Sequence, residues 1–120
     1  RDFDKARELF TVAALKGDAL SCRYLSSHYM EGRGSTEKDP EAAVTWCQKA
    51  IERGDVEALR ILGAMYDGGE CVPQDYLKAS QLYEAAANKG NSKAMGNLAV
   101  LYCNGEGVEK DYDKAMEWFL

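Results

Sequence analysis

Long apolar runs are missing from this sequence, and so are blocks of like charge. The longest apolar stretches, such as residues 98–103, fall far short of the roughly 18 residues that a membrane-spanning helix requires. The 20 acidic and 15 basic residues are interspersed and give a net charge of −5. We therefore expect no membrane insertion and no nucleic-acid partner, because an acidic surface repels phosphate groups.

Residues suited to catalysis or metal binding are also scarce. His28 is the only histidine, and the sequence around it shows no recognisable arrangement of a catalytic Ser and Asp, so we interpret it as a structural residue. Asp67, Glu70 and Asp75 lack the alternating oxygen ligands of an EF-hand loop, so we expect a solvated face and a helix cap there. The sequence predicts no enzyme activity, no metal and no cofactor.

The cysteines form no zinc or redox motif, because no C-x-x-C pair occurs among Cys22, Cys47, Cys71 and Cys103. Cys47 is expected to act as a small apolar core residue, and Cys71 and Cys103 to carry the more exposed thiols. A bridge between Cys71 and Cys103 stays open. Unpaired thiols favour a reducing, cytoplasmic compartment, although secretion stays open as well.

What the sequence does contain is a repeat. Gly17, Gly54 and Gly90 lie 37 and then 36 residues apart, and the same steps separate Gly32, Gly69 and Gly105. Aspartates follow the same rule at Asp2, Asp39, Asp75 and Asp111. A period of this length is typical of a solenoid in which each unit buries its apolar face against its neighbours.

Each period predicts two helices. In the first helical segment, apolar residues recur in steps of three and four, as at Phe3, Ala6 and Leu9. Aspartates that follow the long loops suit helix N-termini, and the short Gly turns suit helix C-termini. We predict helix pairs at about 2–31, 39–68 and 75–104, with 111–120 a further partial helix. The aligned row Leu9, Trp46, Leu82 and Trp118 is expected in the core.

These residues resemble the Sel-one-like repeat (SLR), a subclass of tetratricopeptide (TPR)-like α-solenoids. The second copy carries its pattern at Ala58, Leu62, Gly63, Tyr66, Gly69, Val72, Asp75, Lys78, Ala79, Leu82, Tyr83, Ala86, Ala87 and Gly90. Cys71 departs from the pattern, which usually has Gly there. The resemblance covers essentially the whole chain and implies an all-α, right-handed solenoid of about three repeats, with residues 1–120 as a single domain.

The resemblance also implies a non-catalytic scaffold that binds a protein or peptide on its concave face. It places that face on the helices that begin at Ala19, Val56 and Ser92. The residues left there after the core positions are removed are Leu20, Arg23, Ser27, Met30, Glu57, Arg60, Ala64, Asp67, Lys93, Gly96, Val100 and Cys103. Small residues among them predict a shallow trough beside Arg23 and Arg60, suited to an extended acidic or amphipathic segment.

Other functions stay open at this point. The predicted surface could be merely solvated, with partners bound elsewhere on a longer protein. The repeats could form an accessory domain of a larger enzyme or cell-envelope complex. They could also associate end to end as a spacer through Trp118, Phe119 and Leu120. The chain starts at Arg1 in mid-repeat and stops at Leu120 in mid-repeat, so we expect a fragment of a longer repeat protein.

Overall fold

The computed structural model describes residues 3–32 and 38–104, and these ranges contain six helices and no strand. The helices are α1 (Phe3–Leu15), α2 (Ala19–Glu31), α3 (Pro40–Glu52), α4 (Val56–Gly68), α5 (Tyr76–Asn88) and α6 (Ser92–Asn104). Each has 13 residues, as a repeated unit requires. The all-α class predicted from the sequence is confirmed.

The chain divides into two compact units, and the division falls within α4. Unit 1 is Arg1–Ala58, where α2 packs against both α1 and α3. Unit 2 is Leu59–Leu120, where α5 packs against α6. The assignment of residues 1–120 to a single solenoid domain stays a prediction.

Helix ends follow the predicted capping chemistry. Asp39 Oδ1 accepts a hydrogen bond from the Ala42 N–H at 3.1 Å, and Asp75 Oδ1 accepts one from the Lys78 N–H at 3.1 Å. Each bond satisfies an amide that has no partner within its own helix, so both predicted N-caps are confirmed. Asp2 and Asp111, the equivalent positions, lie outside the described residues.

The core of unit 1 is built from small side chains, which allow close approach of its helices. Cys22, Leu25 and Cys47 are fully buried there. Two buried polar groups use backbone carbonyls as acceptors: Ser26 Oγ donates to Ala43 O at 2.6 Å, and Cys47 Sγ donates to Ala58 O at 3.3 Å. Both donors are paired, so these hydrogen bonds offset the cost of removing the two groups from water.

The core of unit 2 is organised around one aromatic ring. Tyr83, on α5, is only 1% exposed, and its ring lies directly against the backbone of Gly63 on α4. The Tyr83 hydroxyl donates a hydrogen bond of 3.0 Å to Asp67 Oδ2, one turn further along α4. Gly63 and Asp67 therefore fix the ring at both ends.

Leu9 is the clear exception to the predicted core. Its side chain is 66% exposed, whereas the aligned Trp46 and Leu82 are partly buried. Val12 and Leu15 on the same helix are also exposed. Among the described residues no helix covers this side of α1, so the prediction that Leu9 is a core residue was wrong. Trp118 of the same row lies outside the described residues.

Cys71 stands in a left-handed backbone conformation, with φ of 67°. A residue with a Cβ atom pays about 1–2 kcal/mol for this conformation, whereas Gly adopts it freely. We predict that Cys71→Gly raises the free energy of unfolding by about 1 kcal/mol in urea denaturation. Cys71→Ala removes the thiol but keeps the Cβ atom, and should give no such gain. Equal stabilisation by both variants would contradict the backbone explanation.

Candidate functional site

The predicted surface is distributed over both units. In unit 1, Leu20, Arg23, Ser27 and Met30 recur on α2 in steps of three and four, so they share one face of that helix. Leu20 is exposed, and the other three are partly buried. Glu57, at the start of α4, is partly buried as well. None of these five residues belongs to the buried core.

Arg23 has a structural partner that the sequence did not reveal. Its Nε donates to Asp55 Oδ2 at 2.9 Å, and the second oxygen of Asp55 accepts the Ala58 N–H at 3.2 Å. The carboxylate thereby caps the first turn of α4 while it holds the arginine of α2. A charge reversal at Arg23 would place a glutamate against this cap, so it would alter unit 1 as well as any binding surface.

In unit 2, α4 contributes Arg60, Ala64 and Asp67, all partly buried. Burial raises the pKa of Tyr83 well above its usual range, and the negative charge of Asp67 and its hydrogen bond raise it further. The positive charge of Arg60 acts in the opposite direction on the same pKa. Asp67 is therefore committed to the tyrosine hydroxyl.

The remaining predicted residues lie on α6. Lys93 and Val100 are exposed, and Gly96 and Cys103 are partly buried. Together with Asn97, the first three residues occupy positions i, i+3, i+4 and i+7, which lie on one helical face. A β-carbon at Gly96 would meet nothing within 4 Å, so the middle of this face is open.

An open cleft of about 500 Å³ lies in unit 2 at this face. It is lined by Arg60, Lys93, Gly96, Asn97 and Val100. Four of these five residues belong to the surface predicted from the sequence. Asn97 was not among the residues predicted for this surface; it aligns with Tyr24 and Ile61 in the other repeats. A polar residue at an otherwise apolar repeat position was the signal that could have assigned it to the site.

The residues considered for catalysis and redox chemistry, His28 and the four cysteines, are all buried or partly buried. His28 is buried, with its ring edge-on to Tyr29 at a centroid distance of 6.0 Å. Cys22 and Cys47 are buried, and Cys71 and Cys103 are partly buried free thiols. Burial raises the pKa of the Cys71 thiol, and the charge of Glu70 raises it further, which disfavours the nucleophilic thiolate.

Residues 3–32 and 38–104 contain neither a metal-binding cluster nor a membrane-spanning helix. No group of three or more His, Cys, Asp or Glu side chains in these ranges is placed to hold a metal ion. Within the same ranges, every helix is too short or too polar to cross a bilayer. The terminal aromatic residues Trp118 and Phe119, with Leu120, lie outside the described residues.

The six helices, arranged as repeated pairs, define an all-α repeat solenoid. The Sel1 repeat matches the chain in four consecutive segments, residues 1–18, 19–55, 56–91 and 92–120, so the chain belongs to the Sel1 repeat family. Proteins of this family generally mediate protein–protein interactions as non-catalytic scaffolds.

Solved structures with a similar fold include two bacterial proteins. A protective antigen of uropathogenic Escherichia coli with an SLR fold has a TM-score of 0.90 and 38% identity over 94% of this chain. A Sel1 repeat protein from Oxalobacter formigenes has a TM-score of 0.91 and 30% identity over 98% of it. The chain spans 24% and 48% of these two structures. Helicobacter pylori cysteine-rich protein B shares the fold, with a TM-score of 0.69 and 22% identity. The match covers 94% of this chain and 85% of the Helicobacter pylori chain.

One characterised relative is the chitin synthase regulator SKT5 of Saccharomyces cerevisiae. It is 34% identical over 79 residues, which make up 65% of this chain. The same segment is only 11% of the regulator's length. The similarity thus concerns a short part of a much longer protein.

Proposed function

We propose that this chain is a non-catalytic adaptor that binds a protein or peptide on the surface of α2, α4 and α6. The cleft of unit 2 is the observation that carries the proposal. It combines two cationic side chains, Arg60 and Lys93, with an amide at Asn97 and an apolar contact at Val100. A surface depression that combines an apolar contact with a few polar groups is a candidate recognition site, and family membership supports a protein as the ligand.

Lys93→Glu tests this function with little risk to the fold. Lys93 is exposed and lies in the first turn of α6, where a negative side chain interacts favourably with the helix dipole. Loss of partner binding would therefore not reflect unfolding. We predict that the reversal weakens partner binding by about tenfold or more, because an attractive contact becomes repulsive.

The measurement is affinity capture with the whole chain as bait, quantified by mass spectrometry. Lys38→Glu is the matched control, since it makes the same charge change at an exposed lysine outside the cleft. A partner retained by Lys38→Glu and lost by Lys93→Glu supports the function. Equal capture by both variants would remove the α4–α6 surface from consideration.

A second candidate is an accessory role in a larger enzyme system. The similarity to a chitin synthase regulator favours it, although it covers only a short part of that protein. In this case the captured partner would be an enzyme of polysaccharide synthesis whose turnover depends on the chain. An assay of that enzyme with added wild-type or Lys93→Glu chain would show stimulation by the former only. Unchanged turnover would show that the chain binds the enzyme without activating it.

A further inference from the structure

We propose that two copies of this chain pair through α1, antiparallel to each other and related by a two-fold axis beside Val12. The proposal concerns unit 1 and is independent of the cleft in unit 2. It starts from three apolar side chains of α1, Leu9, Val12 and Leu15, which are 66%, 52% and 71% exposed. At 3.6 residues per turn, Leu9 and Leu15 lie about 60° from Val12 around the helix axis, on opposite sides of it. The three side chains therefore form one apolar face that is open to solvent.

The other repeats do not carry this apolar face. The positions of Leu9, Val12 and Leu15 are taken by Trp46, Lys49 and Glu52 in α3 and by Leu82, Ala85 and Asn88 in α5. Glu52 and Asn88 are exposed, although other helices precede and follow both α3 and α5. A helix that packed on α1 as the repeats pack on one another would thus leave Leu15 exposed. Repeat stacking does not account for an apolar residue there.

Charged side chains flank the apolar face in a self-complementary order. Glu8 and Lys16 are exposed and lie on the same side of α1 as Val12, each about 40° from it around the axis. Lys16 directly follows α1, and its N–H still donates to Val12 O at 3.3 Å, so it continues the helical spacing. The two charges are eight residues apart, twice the spacing at which such side chains meet on one helix. They are therefore placed to pair between chains.

An antiparallel pair centred on Val12 brings all these groups together. Leu9 and Leu15 are each three residues from Val12, and Glu8 and Lys16 are each four residues from it. The members of each pair also lie on opposite sides of Val12 around the helix, as a two-fold axis requires. Leu9 then faces Leu15 of the second copy, and Glu8 faces Lys16 of the second copy. The interface has an apolar centre and two ion pairs at its edges.

The same pairing fails on the equivalent face of α3. Lys49 takes the place of Val12, so two lysines would meet at the axis, and Trp46 would face Glu52. Like charges at such a contact oppose association. The self-complementary pattern of apolar and charged residues is thus particular to α1, and it identifies the occupant of the apolar face as a second copy of the chain.

The size of the interface sets the strength of the dimer. α1 has 13 residues and is about 20 Å long, so a pair of such helices in contact covers a strip of roughly 20 Å by 10 Å on each copy. Stable interfaces bury about 800 Å² per partner. We therefore expect a weak dimer that forms at high micromolar concentration. Unlike end-to-end association, a two-fold contact closes after two chains and gives no larger species.

Sedimentation equilibrium of the whole chain in reducing buffer, from low micromolar to millimolar concentration, tests the pairing. The wild type should pass from monomer to dimer. Val12→Lys copies the residue of α3 and should weaken the dimer about tenfold or more, because two like charges meet at the axis. Lysine forms helices at least as well as valine, so α1 is retained. Leu77→Lys is the matched control, since it changes a 55% exposed leucine of α5 to lysine and should dimerise as the wild type does.

Glu8→Lys and Lys16→Glu test the antiparallel register. Each variant alone places like charges opposite each other at both edges, so each should dimerise about tenfold more weakly than the wild type. In an equimolar mixture of the two variants, both contacts between unlike chains again join a lysine to a glutamate. The mixture should recover the wild-type association, which an effect on the folding of either variant could not produce.

Four results would overturn the inference. They are a monomeric wild type at millimolar concentration, equal association of Val12→Lys and the wild type, no recovery in the mixture of charge variants, and growth beyond the dimer. The last result would indicate end-to-end association instead. Partner capture through the cleft of unit 2 does not depend on any of these outcomes.

Discussion

Gly63→Ala should destabilise unit 2 by about 1–3 kcal/mol, although alanine is normally the better helix former. A β-carbon at residue 63 would lie 2.8 Å from two ring atoms of Tyr83 and 3.4 Å from the Ala79 carbonyl oxygen. The ring cannot simply rotate away, because it is buried and its hydroxyl is bonded to Asp67. Urea denaturation monitored by circular dichroism measures the change.

Gly96→Ala is the matched control for this substitution. It is also a helical glycine, but its added β-carbon would meet no atom within 4 Å. Only the gain in helix propensity remains, so Gly96→Ala should stabilise the chain by up to about 1 kcal/mol. If the two variants changed stability in the same direction, packing against Tyr83 would not be the reason for glycine at residue 63.

Tyr83→Phe should lower the free energy of unfolding by about 1.5 kcal/mol at neutral pH. The variant keeps the buried ring but removes the hydrogen bond to the Asp67 carboxylate, and bonds to charged acceptors are the stronger kind. Tyr76→Phe is the control, since the Tyr76 hydroxyl bonds only to the exposed Gln74 amide. Denaturation at pH 7 compares the two, and an equal cost would show that the Asp67 bond adds nothing.

Alkaline pH should destabilise the wild type, because burial and, to a smaller extent, Asp67 disfavour the charged form of Tyr83 in the folded state. The pKa of Tyr83 is raised in the folded state, so its stabilisation is fully present below the unfolded pKa of about 10 and is lost as the pH rises above it. The free energy of unfolding of the wild type should then fall more steeply with pH than that of Tyr83→Phe, by up to about 1.4 kcal/mol per pH unit. Parallel stability curves for both proteins between pH 9 and 11.5 would contradict this assignment.

The helical class could be predicted because its signals are local. The Asp caps and the short Gly turns each depend on a few neighbouring residues, and they recur with the repeat. Gly17, Gly54 and Gly90 all have φ near 90–101°, the left-handed region in which glycine is favoured. Cys71 also has a left-handed backbone conformation, with φ of 67°, although its side chain disfavours it.

Contacts between distant residues could not be predicted in the same way. The repeat alignment placed Leu9 in the core, but burial depends on which helix covers a residue, and a pattern within one helix does not contain that information. Likewise, Arg23 was predicted only as part of a binding surface, whereas its ion pair joins it to Asp55, 32 residues away. Asn97 became a candidate once the cleft defined its neighbours.

The interaction surface itself remains a proposal that the cleft of unit 2 makes specific. The twelve residues predicted from the sequence all lie outside the buried core of the described residues. Four of them, Arg60, Lys93, Gly96 and Val100, line one cleft. Because Arg23 supports the cap of α4, mutations of the cleft residues are cleaner tests than mutations of Arg23.

The most direct measurement is the affinity of the captured partner for a chain in which the cleft is filled. Gly96→Leu introduces a side chain into open space and replaces a helical glycine, so its thermal stability should equal or exceed that of the wild type. We predict that this variant loses partner binding by about tenfold or more while Gly96→Ala loses less. Wild-type affinity in a stable Gly96→Leu chain would contradict the central claim that the cleft is the binding site.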